Sequence, residues 1–338
     1  MSSVAVIIPV HNGGAAFRRC LESVARAVPQ PAELIVVADG DSDESWRVAE
    51  EFGAQVIRVP GPQGPAHARN VGARAAQSDL LFFVDADVTI PPDACAQVVA
   101  LFAREPDLAA AFGSYDDAPA ASNFLSQYKN LLHHYVHQTS REEAVTFWGA
   151  CGVIRREVFL TVGGFDERYR FPSVEDIELG SRLTRAGYRI RLHKPLQVQH
   201  LKRWGVWSLL KADILLRALP WAELIVSERT LPNDLNLSLA SRLSTLMVYG
   251  LIGALLGALL WPGMLGVAGI LSLALLGCNS SLYTFFLQKR GVWFTLRVIP
   301  WHWAYYAYSG LTFIVGGVRV LWRERSVERE RGACGADE

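Results

Sequence analysis

The chain has 338 residues, more than one average domain needs, which predicts a large globular domain and a smaller second part. Its 33 Lys+Arg offset 33 Asp+Glu, so the formal net charge is zero and a global basic field for gripping nucleic acid is excluded. Hydrophobic residues make up 51% of the chain, high for a soluble enzyme, and the excess lies toward the C-terminal end.

In chain order, residues 4–10 form a short apolar run. It lacks a basic leader and runs straight into His11-Asn12-Gly13-Gly14, so it reads as a buried strand and not as a targeting segment. Helical spacing of apolar residues follows over 17–27, then a strand over 33–38, a helix over 46–52 and a strand over 55–59. A helix over 66–76 and a strand over 80–84 complete the series. Short buried strands alternating with helices imply βαβ units and a mostly parallel sheet, in which ligands bind beyond the carboxyl ends of the strands. A further amphipathic helix is expected over 177–183.

The C-terminal part has a different character. Between Arg242 and Lys289 there is no Asp, Glu, Lys or Arg, and Trp261-Pro262-Gly263 supplies a helix break near the middle. A span needs roughly 20 apolar residues, so this stretch accommodates two, expected at about 243–261 and 263–287. A second charge-free run between Arg297 and Arg319 predicts a third over 299–319. Before them, residues 201–230 combine Trp204, Trp207 and Trp221 with Lys202, Arg203, Lys211 and Arg217, the composition of a helix lying in the membrane interface. The five cysteines (Cys20, Cys95, Cys151, Cys278, Cys334) are scattered, with no Cys-x-x-Cys pair, which argues against a disulfide framework or thiolate zinc site.

Each candidate site follows a strand. Asp39-Gly40-Asp41-Ser42-Asp43 offers a carboxylate for a base or ribose, although the same residues also suit an Asx-turn or helix cap. Asp85-Ala86-Asp87 sets two carboxylates at the end of a buried strand, an arrangement that a hard divalent cation bridging two phosphates would satisfy. Gly61-Pro62-Gln63-Gly64-Pro65 opens a helix carrying Arg69, a plausible phosphate cradle. Glu175-Asp176 stands where either helix-entry chemistry or a general base belongs. No Gly-x-Gly-x-x-Gly or Gly-Lys-Ser/Thr occurs at the right place, which argues against a dinucleotide site or a P-loop.

Together, Val6-Ile7-Ile8-Pro9-Val10-His11-Asn12, the Asp39 turn, Ala68-Arg69-Asn70-Val71-Gly72 and Asp85-Ala86-Asp87 resemble the inverting family 2 glycosyltransferases. The resemblance continues through residues 149–156, Gly163-Gly164-Phe165-Asp166-Glu167 and Glu175-Asp176, in the family's order over about the first two hundred residues. It implies an α/β fold of GT-A type, a mostly parallel sheet flanked by helices. By this resemblance Pro9, His11, Asn12, Asp39, Arg69 and Asp85 contact the nucleotide sugar, with Asp39 on the nucleobase. Asp85 and Asp87 hold Mg²⁺ or Mn²⁺ against the diphosphate. Trp148 and Gly149, with Arg203 and Trp204, face the acceptor, and Asp176 beside Glu175 is the general base. Two places depart from the family pattern. Ala38 replaces the first acid of the nucleotide turn, which leaves the nucleobase open. His200-Leu201-Lys202-Arg203-Trp204 stands where processive synthases carry Gln-x-x-Arg-Trp, which argues against a polymer-extruding synthase and makes His200 a candidate metal or diphosphate contact.

The expectation is thus a catalytic domain over 1–230, a membrane domain over 231–322 with two or three helices, and a charged tail over 323–338. The implied enzyme is a hexosyltransferase-like glycosyltransferase of the cell membrane, multi-pass, with its catalytic part on the cytoplasmic side. It would move a sugar from a nucleotide-diphosphate donor to a lipid-linked or glycan acceptor near the bilayer, with no nucleic-acid partner. The alternatives are a polyprenyl-phosphate glycosyltransferase, whose acceptor is already ionised, and a non-catalytic nucleotide-sugar-binding membrane subunit.

Overall fold

Four short apolar runs become the parallel half of one sheet: β1 (Val4–Val10), β2 (Glu33–Asp39), β3 (Gln55–Val59) and β4 (Leu80–Val84). The structure, a computed structural model, describes residues 2–228 and 238–334, with side chains as far as residue 323. Five further strands complete the sheet among the described residues: β5 (Val88–Thr89), β6 (Leu108–Tyr115), β7 (Glu143–Ala144), β8 (Cys151–Arg155) and β9 (Arg189–His200). The order is β3-β2-β1-β4-β8-β6-β9-β5, with β7 on β9. Strands β3 to β4 are parallel, β8 is inserted antiparallel between β4 and β6, and β6 runs parallel to β9. This is the mostly parallel, helix-flanked GT-A architecture expected from the sequence.

The core explains why β1 and β4 read as unbroken apolar runs. Val4, Val6, Ile8 and Val10 face one side, with Phe17 and Leu21 of α1 (Gly14–Ala25) and Val98 and Leu101 of α4 (Ala94–Arg104). Ala5 and Ile7 face the other, with Ala66 and Ala73 of α3 (Pro65–Ala75) and Leu179 and Leu183 of α7 (Glu175–Arg185). A strand covered on both faces needs apolar side chains at every position, not at alternate ones. The remaining helices of this part are α2 (Ser45–Glu51), α5 (Phe124–Thr139) and α6 (Arg156–Thr161).

The chain divides into two units, Met1–Gly205 and Val206–Glu338. The segment expected as one interfacial helix over 201–230 therefore does not close the first unit. It is helical from α8 (Val206–Lys211), passes through a π-helical stretch (Ala212–Ala218) and continues as α9 (Leu219–Glu228); residues 229 and 230 lie outside the described residues. The physical reason lies in its packing within the second unit. Glu223 pairs with Arg319 and Arg323, and Gly316 lies so close to Ala222 that a Cβ there would stand 2.7 Å from its methyl.

The second unit also contains α10 (Leu239–Gly257), α11 (Met264–Cys278), α12 (Ser280–Arg290) and α13 (Val292–Cys334). Among the described residues, α10 alone is long and apolar enough to cross a membrane, while α11 and α12 qualify only as a pair, bent by 66°. The third expected span, 299–319, lies inside α13, which does not qualify. Its first half carries Pro300, His302, Tyr305, Tyr306 and Tyr308, which lower its hydropathy although no formal charge interrupts it. Two to three separate spans are thus reduced to one straight candidate and one bent pair. Within this unit Asn279 donates to Ser244 Oγ (3.0 Å) and accepts from Tyr306 (2.9 Å), a buried polar link of the kind that holds apolar helices in register.

One turn in the first unit shows how a strand-end cluster organises the fold. Asp43 Oδ2 accepts from the Gly14 N–H (3.0 Å), and its Oδ1 accepts from the Ser45 N–H (3.1 Å) and hydroxyl (2.6 Å). One carboxylate therefore caps α1 and α2 together. Partial burial acts to raise its pKa, but the Ser45 hydroxyl and the backbone N–H groups outweigh this and hold it below the usual carboxylate value. The stabilisation is present above the unfolded-state pKa and is lost as pH falls through the lower folded value. Asp43→Ala should lower the unfolding free energy by about 1 kcal/mol at neutral pH, and this difference should shrink in acid; denaturation of the full chain at the two pH values measures it.

Candidate functional site

Helix α3 begins with Pro65 and carries Arg69 one turn in, on the face turned to the sheet. Arg69 is only 4% exposed. Its Nη2 donates to Asp85 Oδ1 at the end of β4 (2.7 Å), and its Nη1 donates to Glu175 Oε1 at the start of α7 (2.9 Å). The guanidinium also lies over the Phe165 ring (5.4 Å), and Gly149 covers it so closely that a Cβ would come within 3.1 Å of Cζ. Burial disfavours its charge, but Asp85 and Glu175 more than compensate and raise its pKa, so it is a fixed cation. The side chain expected to cradle phosphate is thus engaged by two carboxylates instead. Its Nε is buried without a hydrogen-bond partner.

The two acids that open α7 take different environments. Glu175 is buried, with Oε1 on Arg69 and Oε2 accepting from the Ser173 N–H (2.8 Å). Asp176 Oδ2 accepts from the Gly149 N–H (3.0 Å) and its Oδ1 from the Ile177 N–H (2.8 Å). Burial, then the negative charge of Glu175, raises the Asp176 pKa to about 7, against the opposing hydrogen bond from Gly149 and the charge of Arg69. Of two adjacent carboxylates, one is neutralised by an ion pair and the other is poised to exchange a proton near neutral pH.

On the other side of Asp85, Asp87 meets a residue distant in sequence. Pairing of β5 with β9 sets Val88 opposite His200, and His200 Nε2 lies 3.6 Å from Asp87 Oδ2. Burial acts to raise the Asp87 pKa, but the His200 hydrogen bond and charge, with Lys202, hold it below the usual range. Among the described residues no three His, Cys, Asp or Glu side chains converge as a ready-made ion cage. The donor chemistry nevertheless fits Mg²⁺ or Mn²⁺, which bind through one or two carboxylates and complete their shells with phosphate oxygens and water. The imidazole of His200 suits Mn²⁺.

The nucleotide-side expectations divide. Asp39 is buried and both of its oxygens hold the following loop, accepting from the N–H groups of Gln63 (2.8 Å) and Gly64 (2.7 Å). Gly40, at φ +65°, lies against Gly61 and Pro62, and Gly64, at φ +99°, lies against the Arg170 backbone, so side chains are excluded at both. Asp39 is therefore first of all a loop clamp. His11 Nδ1 donates to the Asp39 carbonyl (2.8 Å), and Asn12 Oδ1 accepts from the Ser42 N–H (2.8 Å); both side chains are exposed at the end of β1. Pro9 stays within β1, paired with Val37.

Of the residues expected to face an acceptor, Trp204 is buried against α5, its backbone N–H donating to Ser126 Oγ (2.7 Å), while its indole N–H has no hydrogen-bond partner. Arg203 is exposed, and Lys202 Nζ lies 4.5 Å from the Trp204 ring. Sequence reasoning missed the rings that hold this side together. Tyr115 stacks on His200 (4.4 Å, 14°) and meets Trp148 edge-on (4.9 Å, 88°), while His133 of α5 tilts against both Tyr115 and Trp148. The i, i+4 histidines His133 and His137 were the available signal. Glu167, noted in the sequence only as part of a motif, accepts from His67 (2.7 Å) and Asn70 (2.9 Å).

Residues 5–163 match the family model "Glycosyl transferase family 2", and residues 131–204 match "N-terminal domain of galactosyltransferase". A putative glycosyltransferase, EpsH, of Bacillus subtilis is 33% identical over 147 residues, 40% of this chain and 42% of that protein. The pre-mycofactocin glycosyltransferase of Mycobacterium tuberculosis is 30% identical over 209 residues, 58% of this chain and 42% of that protein. The chain thus spans less than half the length of these two relatives. Among solved structures, a mannosyltransferase of Pyrobaculum calidifontis in complex with GDP-Man and Mn²⁺ shares the fold at a TM-score of 0.55 and 17% identity, over 95% of this chain and 88% of that one.

The buried triad yields a stability prediction. Removing the cation leaves the buried Glu175 carboxylate without its counter-ion and the partly exposed Asp85 without its ion pair, so Arg69→Met should destabilise the protein by about 3 kcal/mol. Adding Glu175→Gln to Arg69→Met should recover part of that loss. A double-mutant cycle followed by chemical denaturation measures both values.

Proposed function

Since the N-terminal unit is a family 2 glycosyltransferase domain of GT-A fold, we propose that the protein is a membrane-anchored, metal-dependent inverting enzyme that moves a sugar from a nucleotide-diphosphate donor to a lipid-linked or membrane-proximal acceptor. The observation that carries this reading is the Arg69 bridge. It joins the strand-end acids, where a diphosphate belongs, to the α7 acids, where a base belongs. Asp176 takes the proton from the acceptor hydroxyl, and the acceptor oxygen attacks the anomeric carbon as the bond to the diphosphate breaks on the opposite face. Asp85, Asp87 and His200 would hold Mg²⁺ or Mn²⁺, which when bound stabilises the charge of the leaving nucleoside diphosphate.

Several features support individual parts. The pKa of Asp176 near 7 suits a base working at neutral pH. His11 and Asn12 are available beside the Asp39 loop for the nucleoside, and the Trp204 indole N–H is a buried donor available to an acceptor or phosphate oxygen. The Pyrobaculum neighbour was solved with GDP-Man and Mn²⁺, the same classes of donor and ion. Membrane attachment rests on α10 and the bent α11–α12 pair, whose outward side chains include Leu246, Leu255, Ile270 and Leu273, each at least half exposed. Apolar side chains exposed on successive turns are matched to lipid and not to water. In this reading the first unit works at the cytoplasmic face of the cell membrane.

The first experiment is a screen of nucleotide sugars for slow Mn²⁺-dependent hydrolysis by the purified chain; absence of any metal-dependent hydrolysis or transfer would overturn the enzymatic reading. With the donor known, Asp176→Asn should bind it normally and lose at least about 100-fold in transfer rate. The wild-type rate should fall about tenfold per pH unit below pH 7, because protonated Asp176 cannot accept a proton, and should level off above it. Near-normal transfer by Asp176→Asn to a polyprenyl phosphate would identify an already ionised acceptor and remove the base from the mechanism.

A further inference from the structure

Strand β6 ends at Tyr115, which pairs in register with Val198 of β9. His200 follows two residues later and so shares a face with Val198, and there the Tyr115 ring stacks on the imidazole at 4.4 Å, 14° from parallel. The opposite neighbours are equally close. The Trp148 indole meets the Tyr115 ring edge-on at 4.9 Å, and His133 tilts against Tyr115 at 4.4 Å and against Trp148 at 4.7 Å. The backbone of Tyr115 is fixed as well, because its carbonyl accepts from His134 Nδ1 (2.8 Å).

Two of the three rings in contact with Tyr115, His200 and Trp148, belong to opposite ends of the site. His200 stands beside Asp87, on the side assigned to metal and diphosphate. Trp148 immediately precedes Gly149, whose N–H holds Asp176 Oδ2 at 3.0 Å. We propose that Tyr115 is a positioning residue whose ring sets the separation between the diphosphate end and the general-base end of the site. The inference rests on the functional reading above and extends it to a residue outside every strand-end motif. A stacked ring and an edge-on ring have preferred separations, so one planar side chain between them fixes both orientations, which a flexible aliphatic chain of similar size does not. The Tyr115 ring is 7% exposed and enclosed by these partners, so it acts on His200 and Trp148 and not on substrate.

The test compares Tyr115→Phe, which keeps the ring, with Tyr115→Leu, which removes it, in the full chain. Two readouts address the two ends. Mn²⁺ binding in the presence of UDP or GDP, followed by the electron paramagnetic resonance of the free ion, reports on the His200 end. The acid limb of the pH profile for Mn²⁺-dependent donor hydrolysis reports on the Asp176 end, because a weakened Gly149 hydrogen bond raises the carboxyl pKa. The expected result for Tyr115→Leu is Mn²⁺ affinity lowered about tenfold together with an acid limb displaced to higher pH, while Tyr115→Phe stays within about twofold of wild type. A leucine variant equal to wild type in both readouts overturns the inference, as does a change at one end only, or a phenylalanine variant as impaired as leucine. Tyr115→Met replaces the leucine variant if that one fails to fold. A wild-type chain that binds Mn²⁺ with neither nucleotide overturns the functional reading itself, and this inference with it.

Discussion

A single buried guanidinium holds the chemical centre together. Arg69 reaches Asp85 on one side and Glu175 on the other, and these three residues come from a helix, a strand end and a second helix far along the chain. An arginine suits this position because its planar fork serves two carboxylates at fixed angles, which one ammonium cannot do. The enclosed Arg69–Glu175 pair is worth little as net stability, since desolvation offsets most of its attraction. Its value is geometric: moving α3 or α7 would leave an unpaired charge in a low-dielectric interior.

The same bridge divides labour between adjacent acids. Glu175 is paired with Arg69, and burial together with the Glu175 charge raises the pKa of the neighbouring Asp176 to about 7. The sheet contributes through its order. Inserting β8 between β4 and β6 brings the Trp148-Gly149 turn, just before β8, to the ends of β4 and α7. The pairing of β5 with β9 carries His200 back to Asp87. Asp85, Asp87, His200, Gly149 and Asp176 are thus brought together by strand order and not by local sequence.

Much of the first unit was legible in the sequence because its central strands are enclosed on both faces. Residues 4–10 and 80–84 form strands with the expected limits, since such runs must be apolar throughout and end where polar turns begin; the less buried edge strand over 55–59 also has the expected limits. The roles of individual polar residues were less legible. Asp39 and Arg69 have the residue types expected of ligand contacts, yet both oxygens of Asp39 hold backbone N–H groups and both terminal nitrogens of Arg69 hold carboxylates. Residue type and spacing give no information on which partner is nearest in space. The composition of residues 201–230 suits a membrane interface, but it carries no sign that Ala222 and Glu223 of α9 meet Gly316 and Arg319 of α13.

The sequence by itself determined the alternating strands and helices, the ordered set of strand-end acids and the charge-free C-terminal runs, because periodicity and composition respond directly to burial. Only the tertiary structure decided that Arg69 links Asp85 to Glu175, that His200 returns to Asp87, and that Tyr115 lies between His200 and Trp148. It also reduced the expected membrane spans to one straight helix and one bent pair. The reason is common to all of these: they are contacts between residues tens of positions apart or more, and strand order and helix direction, which set them, leave no periodic trace in the chain.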